Sequence, residues 1–222
     1  MDTQLPPPMV LYQLASAHYV SQALYVAAHL GIADLLAEGP RTHQMLAAET
    51  ATHAPSLRRV LRLLASAGVF AERADGSFEL TPVGSALRRG PGSFRATARL
   101  FGSPVVWQSW GDLLTTVRTG EPAFRRLFKV DSFEYFAAHP EEAAVFDEAM
   151  GSFTVMIAGA VAAAYDFSAM RAVIDVGGGN GSLLTGILRA NPRLRGTDIA
   201  LRDIRAGEEI TMDYGRVEGT RP

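Results

Sequence analysis

Cysteine is absent from the 222 residues, and its absence removes disulfide frameworks, thiolate zinc sites and thiol nucleophiles together. An excess of either charge is also missing. With 21 Lys+Arg against 23 Asp+Glu the net charge is −2, so no overall basic field directs the chain to phosphate or anionic lipid. The first ten residues, MDTQLPPPMV, lack the basic stretch and apolar core of a secretory signal. Long apolar runs are wanting as well: the most apolar window, Phe153 to Phe167, falls short of the ~20 residues of a membrane span and contains Asp166. It reads as a buried helix. No internal repeat or low-complexity tract stands out, and a reducing cytoplasm is the default compartment. What remains is a chain with 48% hydrophobic residues, enough for one large domain or two small ones.

Apolar residues recur at helical spacing from Leu11 to Glu38, with Gly31 and Gly39 as breaks, which predicts one long helix and one short one. Thr42 then precedes a short helix, THAPS makes a turn, and Pro55 opens a second helix ending near Gly68. The Asp75-Gly76 pair lies between short alternating runs and signals a hairpin. Two helices about a tight turn followed by a hairpin make a winged helix. Arg58, Arg59 and Arg62 on its second helix admit a DNA-binding reading, although the same arginines serve as a solvated face opposite Leu57, Val60, Leu61 and Leu64. The acidic balance of the whole weighs against nucleic acid. From Ser93 to Met150 the pattern is mostly helical, with one helix ended at Gly120 and two more separated at His139-Pro140. Trp107, Trp110, Phe133, Tyr135, Phe136 and Phe146 supply aromatic bulk there, suited to a core or to a pocket wall.

The stretch AVIDVGGGNGSLLTGILRANP begins with an apolar run of the kind that forms a buried parallel strand, continues through a glycine turn and ends in an amphipathic helix. That order gives meaning to an otherwise weak glycine pattern. Gly177, Gly179 and Gly181 permit close backbone approach, and the helix start adds positive potential, so the turn suits a nucleoside-like cofactor; a plain structural turn is the alternative. An acid about 20 residues on would hold ribose hydroxyls. Asp198 and Asp203 bracket that place.

The segments YVSQALYVAAHLGIADLLAEGP, SLRRVLRLLASAGVF, GSFELTPVGSALRRG, TVRTGEPAFRRLF, FEYFAAHPEEAAVFDEAM and VIDVGGGNGSLLTGILRANPRLRG resemble, in order, S-adenosylmethionine-dependent O-methyltransferases with an N-terminal dimerisation domain, over residues about 10–196. The resemblance implies an α/β chain: a mostly α winged-helix dimerisation domain at 1–92, a helical connection at 93–170, and a Rossmann-like class I methyltransferase domain opening at 171–196. It implies S-adenosylmethionine as cofactor, held by Asp175, Gly177 and Gly179 with Asp198 near the ribose position, and Met150, Phe153 and Met156 on a pocket-lining helix. It further implies a homodimer acting on a phenolic or polyketide-type hydroxyl, with no membrane partner and no metal.

Beyond Gly196 the pattern departs. The family's second strand closes on an acid where this sequence has Ala200, and its proton-accepting histidine lies well downstream of the glycine turn, whereas His18, His29, His43, His53 and His139 all precede it. The segment Ile199 to Gly215 resembles instead the last strands of SET-domain lysine methyltransferases, with Tyr214 at the position of their active-site tyrosine and Met212 where an earlier tyrosine is common. It reads equally as a β-hairpin about Ala206-Gly207, a tail at 197–222 covering the edge of strand 172–176. The expectation is therefore a truncated methyltransferase fold with cofactor binding weakened or lost and no catalytic residue, inactive by itself. A module that dimerises with full-length methyltransferases and a winged-helix DNA-binding protein are the alternatives.

Overall fold

The structure, a computed structural model, describes residues 5–90, 92–177, 181–199 and 211–212. Two compact units, Met1–Phe146 and Asp147–Pro222, divide the chain.

The first unit opens with α1 (Pro7–Leu30), whose first turn carries proline where no backbone donor is needed. Gly31, at φ 70°, ends it in the left-handed conformation, and α2 (Ile32–Leu35) and a 3-10 turn over Leu36–Glu38 follow. The strand β1 (Arg41–Thr42) leads into α3 (His43–Thr50), capped by the Thr42 hydroxyl accepting from the Met45 N–H at 3.3 Å. Next come α4 (Ala54–Ser66), β2 (Phe70–Glu72), β3 (Ser77–Leu80) and α5 (Pro82–Ser85). The three strands form an antiparallel sheet in the order β1-β3-β2. Its hairpin turns at Asp75-Gly76, where Gly76 has φ 78° and the Asp75 carboxylate accepts from the Ser77 N–H at 3.0 Å.

Leu57, Leu61 and Leu64 line one face of α4 and meet Phe70 and Phe78 of the hairpin in the core of this unit. The α1 contribution to that core is small side chains, Ala23, Ala27 and Ala28. Small residues let a second helix come close, and α6 (Arg95–Gly102) packs there. Gly102 sits so near Tyr25 that a Cβ would collide with it. Arg95 fastens the arrangement: its Nε donates to the Ala28 carbonyl at 2.9 Å and its Nη1 to the Asp34 carboxylate at 2.8 Å.

The sequence pattern predicts a single helix up to Gly120, but two are found, α7 (Pro104–Gly111) and α8 (Leu113–Thr119). The break falls at Asp112, a short acid that leaves the helical basin at φ −99° and binds the Arg126 guanidinium, with Nε at 2.9 Å. Arg126 belongs to α9 (Ala123–Phe128), followed by α10 (Ser132–Ala138) and α11 (Pro140–Ala164).

α11 carries the chain into the second unit. Its apolar half was expected to be buried, yet Val155 and Ile157 are each 52% exposed, while Ala158 is enclosed. Among the described residues too few elements pack on its other sides. By length and composition α11 is also apolar enough to cross a membrane, with a mean hydropathy of 1.4 over its best window, a property shared by core helices of soluble proteins. The unit continues with β4 (Ala172–Val176), α12 (Ser182–Ala190), β5 (Arg195–Ile199) and β6 (Thr211–Met212). β4 and β5 run parallel, from Ala172 opposite Arg195 to Val176 opposite Ile199. β6 lies antiparallel on β5. The expected tail boundary at 196/197 therefore falls inside a strand, and it is β5, parallel and continuous through it, that borders β4. The proposed turn at Ala206-Gly207, with Asp203 and Tyr214, lies outside the described residues. Strand β4 is not buried on both faces as its apolar run suggested: Val173 and Asp175 are half-buried, while Ile174 and Val176 are exposed.

Candidate functional site

The β4-turn-α12-β5 unit is held by close packing of glycines against neighbours. A Cβ on Gly186 would come within 2.5 Å of the Ala158 Cβ, so α12 lies directly on α11. One on Gly196 would meet Leu188 Cδ1 at 2.7 Å, so β5 lies directly under α12. Phe167, Ile187 and Leu194 form the small core around them.

This packing brings the carboxyl end of β4 and the start of α12 together. Gly177 leaves the strand at φ 75° and its N–H donates to the Ile199 carbonyl at 2.7 Å, tying the ends of the parallel strands. Gly181 begins α12 at φ 69° with no side-chain cap. Both angles favour glycine, because a Cβ there crowds the backbone. Asp175 is half-buried one residue before the end of β4, and Asp198 is its register partner on β5. Of the seven residues singled out in the sequence for this site, Asp175 and Gly177 thus lie together with the backbone of Asp198; Gly179 falls outside the described residues. Met150, Phe153 and Met156 share α11, where Met150 is 37% exposed and Phe153 half-buried.

All five histidines fall in the first unit. His18, His53 and His139 engage local groups: Ala15 O at 2.8 Å, the Ser56 hydroxyl at 3.0 Å and Tyr135 O at 2.7 Å, respectively. The arginines behind the DNA-binding reading are also engaged. Arg62 and Arg58 both reach Glu72, at 3.1 and 3.7 Å, and Arg73 pairs with Glu79 at 2.9 Å. Two hairpin acids, Glu72 and Glu79, thereby lower the attraction of these arginines to phosphate. No group of three or more potential metal ligands occurs among the described residues.

Two family models match this chain: the O-methyltransferase dimerisation domain over residues 12–90 and the O-methyltransferase domain over residues 110–208. The chain belongs to the O-methyltransferase family. The second match continues past Gly196, through β5, where the resemblance read from the sequence was expected to stop. A phenazine O-methyltransferase of Lysobacter antibioticus is 47% identical over 193 residues, which are 86% of this chain and 56% of the relative. The chain thus spans about half the length of such O-methyltransferases. The crystal structure of LaPhzM superposes with a TM-score of 0.81 at 47% identity, over 86% of this chain and 58% of the other. A methyltransferase of calicheamicin biosynthesis in its SAH-bound form gives 0.74 at 37% identity, covering 87% and 59%.

The first unit of this O-methyltransferase relative also holds a cavity that no motif announced. Tyr25 and His29 from α1, Arg99 from α6, Phe136 from α10 and Glu141 and Glu142 from α11 line one cavity. They are spread over 118 positions of sequence, and only the packing of the helices brings them together.

Proposed function

We propose that this chain works as an S-adenosylmethionine-dependent methyltransferase module that transfers methyl to a hydroxyl of a small aromatic acceptor. The parallel strand, glycine turn and helix of the second unit are the observation that supports this reading. Gly177 and Gly179 would let the cofactor approach the backbone, the uncapped start of α12 would face it with N–H donors, and Asp175 and Asp198 would accept from its polar hydrogens. When bound, the cofactor supplies a methyl group on a sulfonium centre. The protein's part is to hold and orient it and to keep water from the acceptor. Met150, Phe153 and Met156 would give the acceptor an apolar wall. In the first unit, α3, α4 and the three-strand sheet make a winged-helix arrangement that we assign to homodimerisation rather than to DNA. Relatives named for phenazine and mitomycin methylation favour a small-molecule acceptor.

The test is isothermal titration of S-adenosylmethionine into the 222-residue chain and its Gly177→Asp variant. The aspartate brings both a strained left-handed backbone and a negative charge to the turn. Saturable binding that weakens at least about tenfold in the variant, ~1.4 kcal/mol, supports the reading. No heat with either chain, or equal affinity for both, refutes the assignment of the turn.

A further inference from the structure

Glycine inside a helix is less stable than alanine, because it loses more backbone freedom on folding and packs no side chain. Gly186 is such a glycine, within α12 and outside the turn that precedes it. No left-handed backbone angle calls for it, unlike Gly177 and Gly181. What calls for it is Ala158 of α11, whose Cβ would stand 2.5 Å from a Cβ at position 186. A methyl fixed to the backbone cannot rotate out of the way. Gly159, the next residue of α11, supplies the contrast: a Cβ there would meet nothing within 4 Å.

On its other side α12 has no room to yield. Its Leu184 and Leu188 side chains already reach the bare backbone of Gly196 on β5, where a Cβ would meet them at 2.8 and 2.7 Å. One helix is thus clamped between two glycine contacts, and both lie within the second unit. The start of α12 closes the glycine turn at Gly181, and the stretch of α11 before Ala158 carries Phe153 and Met150. Gly181 and Phe153 each precede the contact by roughly 7 Å along their helices, at about 1.5 Å per residue.

We propose that Gly186 is a positioning residue for methyl transfer: its missing side chain sets how near the cofactor turn of α12 stands to the acceptor wall of α11. The proposal rests on the glycine-turn reading above and adds to it a residue outside the motif. A methyl at position 186 can be accommodated in two ways. Either α11 recedes, which widens the gap between turn and wall, or α12 tilts about its β5 contact, which turns the N–H donors of its first turn away from the end of β4. Both weaken the hold on a cofactor, because preorganised donors must keep their places to within about 0.5 Å.

The probe is S-adenosylmethionine, titrated calorimetrically into the full chain, into Gly186→Ala, into the swapped pair Gly186→Ala with Ala158→Gly, and into Gly159→Ala, with thermal unfolding run on all four proteins. Gly159→Ala should raise the melting temperature, as alanine in a helix does where space is open, and leave the affinity unchanged. Gly186→Ala should lower the melting temperature instead and weaken binding about tenfold. In the swapped pair the methyl at position 186 lies 3.7 Å from the Cα of residue 158, an ordinary contact. Affinity should therefore return to within about twofold of the parent, a coupling expected of two residues in contact. A purely structural role would move the melting temperature and spare the affinity of the folded protein. Equal affinity in the parent and Gly186→Ala, or a loss that the swap fails to restore, overturns the positioning role alone. A parent chain that gives no heat refutes the glycine-turn reading and the positioning role with it.

Discussion

At Arg95 a guanidinium only 8% exposed joins the end of α1, through the Ala28 carbonyl, to the Asp34 carboxylate. Asp34 also accepts from the Arg89 N–H at 2.9 Å. Asp34 is half-buried and keeps the Arg89 guanidinium at 3.5 Å, so losing Arg95 costs chiefly its charge-assisted hydrogen bonds, on the order of 2 kcal/mol. Arg95→Met should therefore lower the stability of the first unit by roughly that amount, as a shift of the urea midpoint with unchanged m-value. Asp131→Asn, which removes an exposed pair with Arg125, should leave the midpoint where it is. Neither role is visible in the sequence. Arg95 looks there like any other of several arginines, because what distinguishes it is burial by a helix 67 residues away.

Among the elements, α7, α8 and α9 are joined by Asp112. Hydrogen bonds from Thr115 first and Arg126 second hold its carboxyl below the usual 3.8, and the Arg125 guanidinium does the same for Asp131. A depressed folded-state pKa means that the unfolded chain binds protons first as the pH drops. Asp112 then contributes stability that is fully present above pH 3.8 and is lost as the pH falls through its folded value, whereas the solvent-exposed pair of Asp131 is screened and adds next to none. An acid titration followed by NMR should show the α7–α9 amides shifting below that pH, and Arg126→Gln should move the Asp112 transition back towards 3.8. The element boundaries themselves were largely legible. Gly31, Thr42, Gly76 and His139-Pro140 end or start elements for local reasons, since a left-handed glycine, a capping hydroxyl or a proline acts within a few residues. The split of the predicted helix at Asp112 was not legible, because it depends on Arg126 arriving from another helix.

For the molecule as a whole, α1 carries the plainest sign of a partner. Leu11 and Leu14 are 67% and 69% exposed, with Tyr12 between them at 64%, at the point where the match to the dimerisation domain begins at residue 12. Apolar side chains so exposed on one helix mark an association surface. Light scattering after size exclusion is expected to give a dimer, and the double variant Leu11→Glu, Leu14→Glu a monomer with unchanged helix content. A monomeric parent chain would contradict the assignment. The open face of β4 at Ile174 and Val176 belongs to the same scale. A run such as AVIDV reads as doubly buried, but whether anything covers a strand depends on neighbours that the run cannot specify.

The sequence by itself determined the class of the chain and the place of its glycine turn. Those follow from short-range chemistry: apolar spacing sets helix or strand, and a glycine-rich turn after a strand permits close backbone approach. Tertiary structure decided the rest: which strand borders β4, how closely α12 lies on α11 at Gly186, and which arginine is paired and which lines a cavity. Such choices are made by contacts between residues far apart in the chain, where the free energy of packing outweighs any local preference.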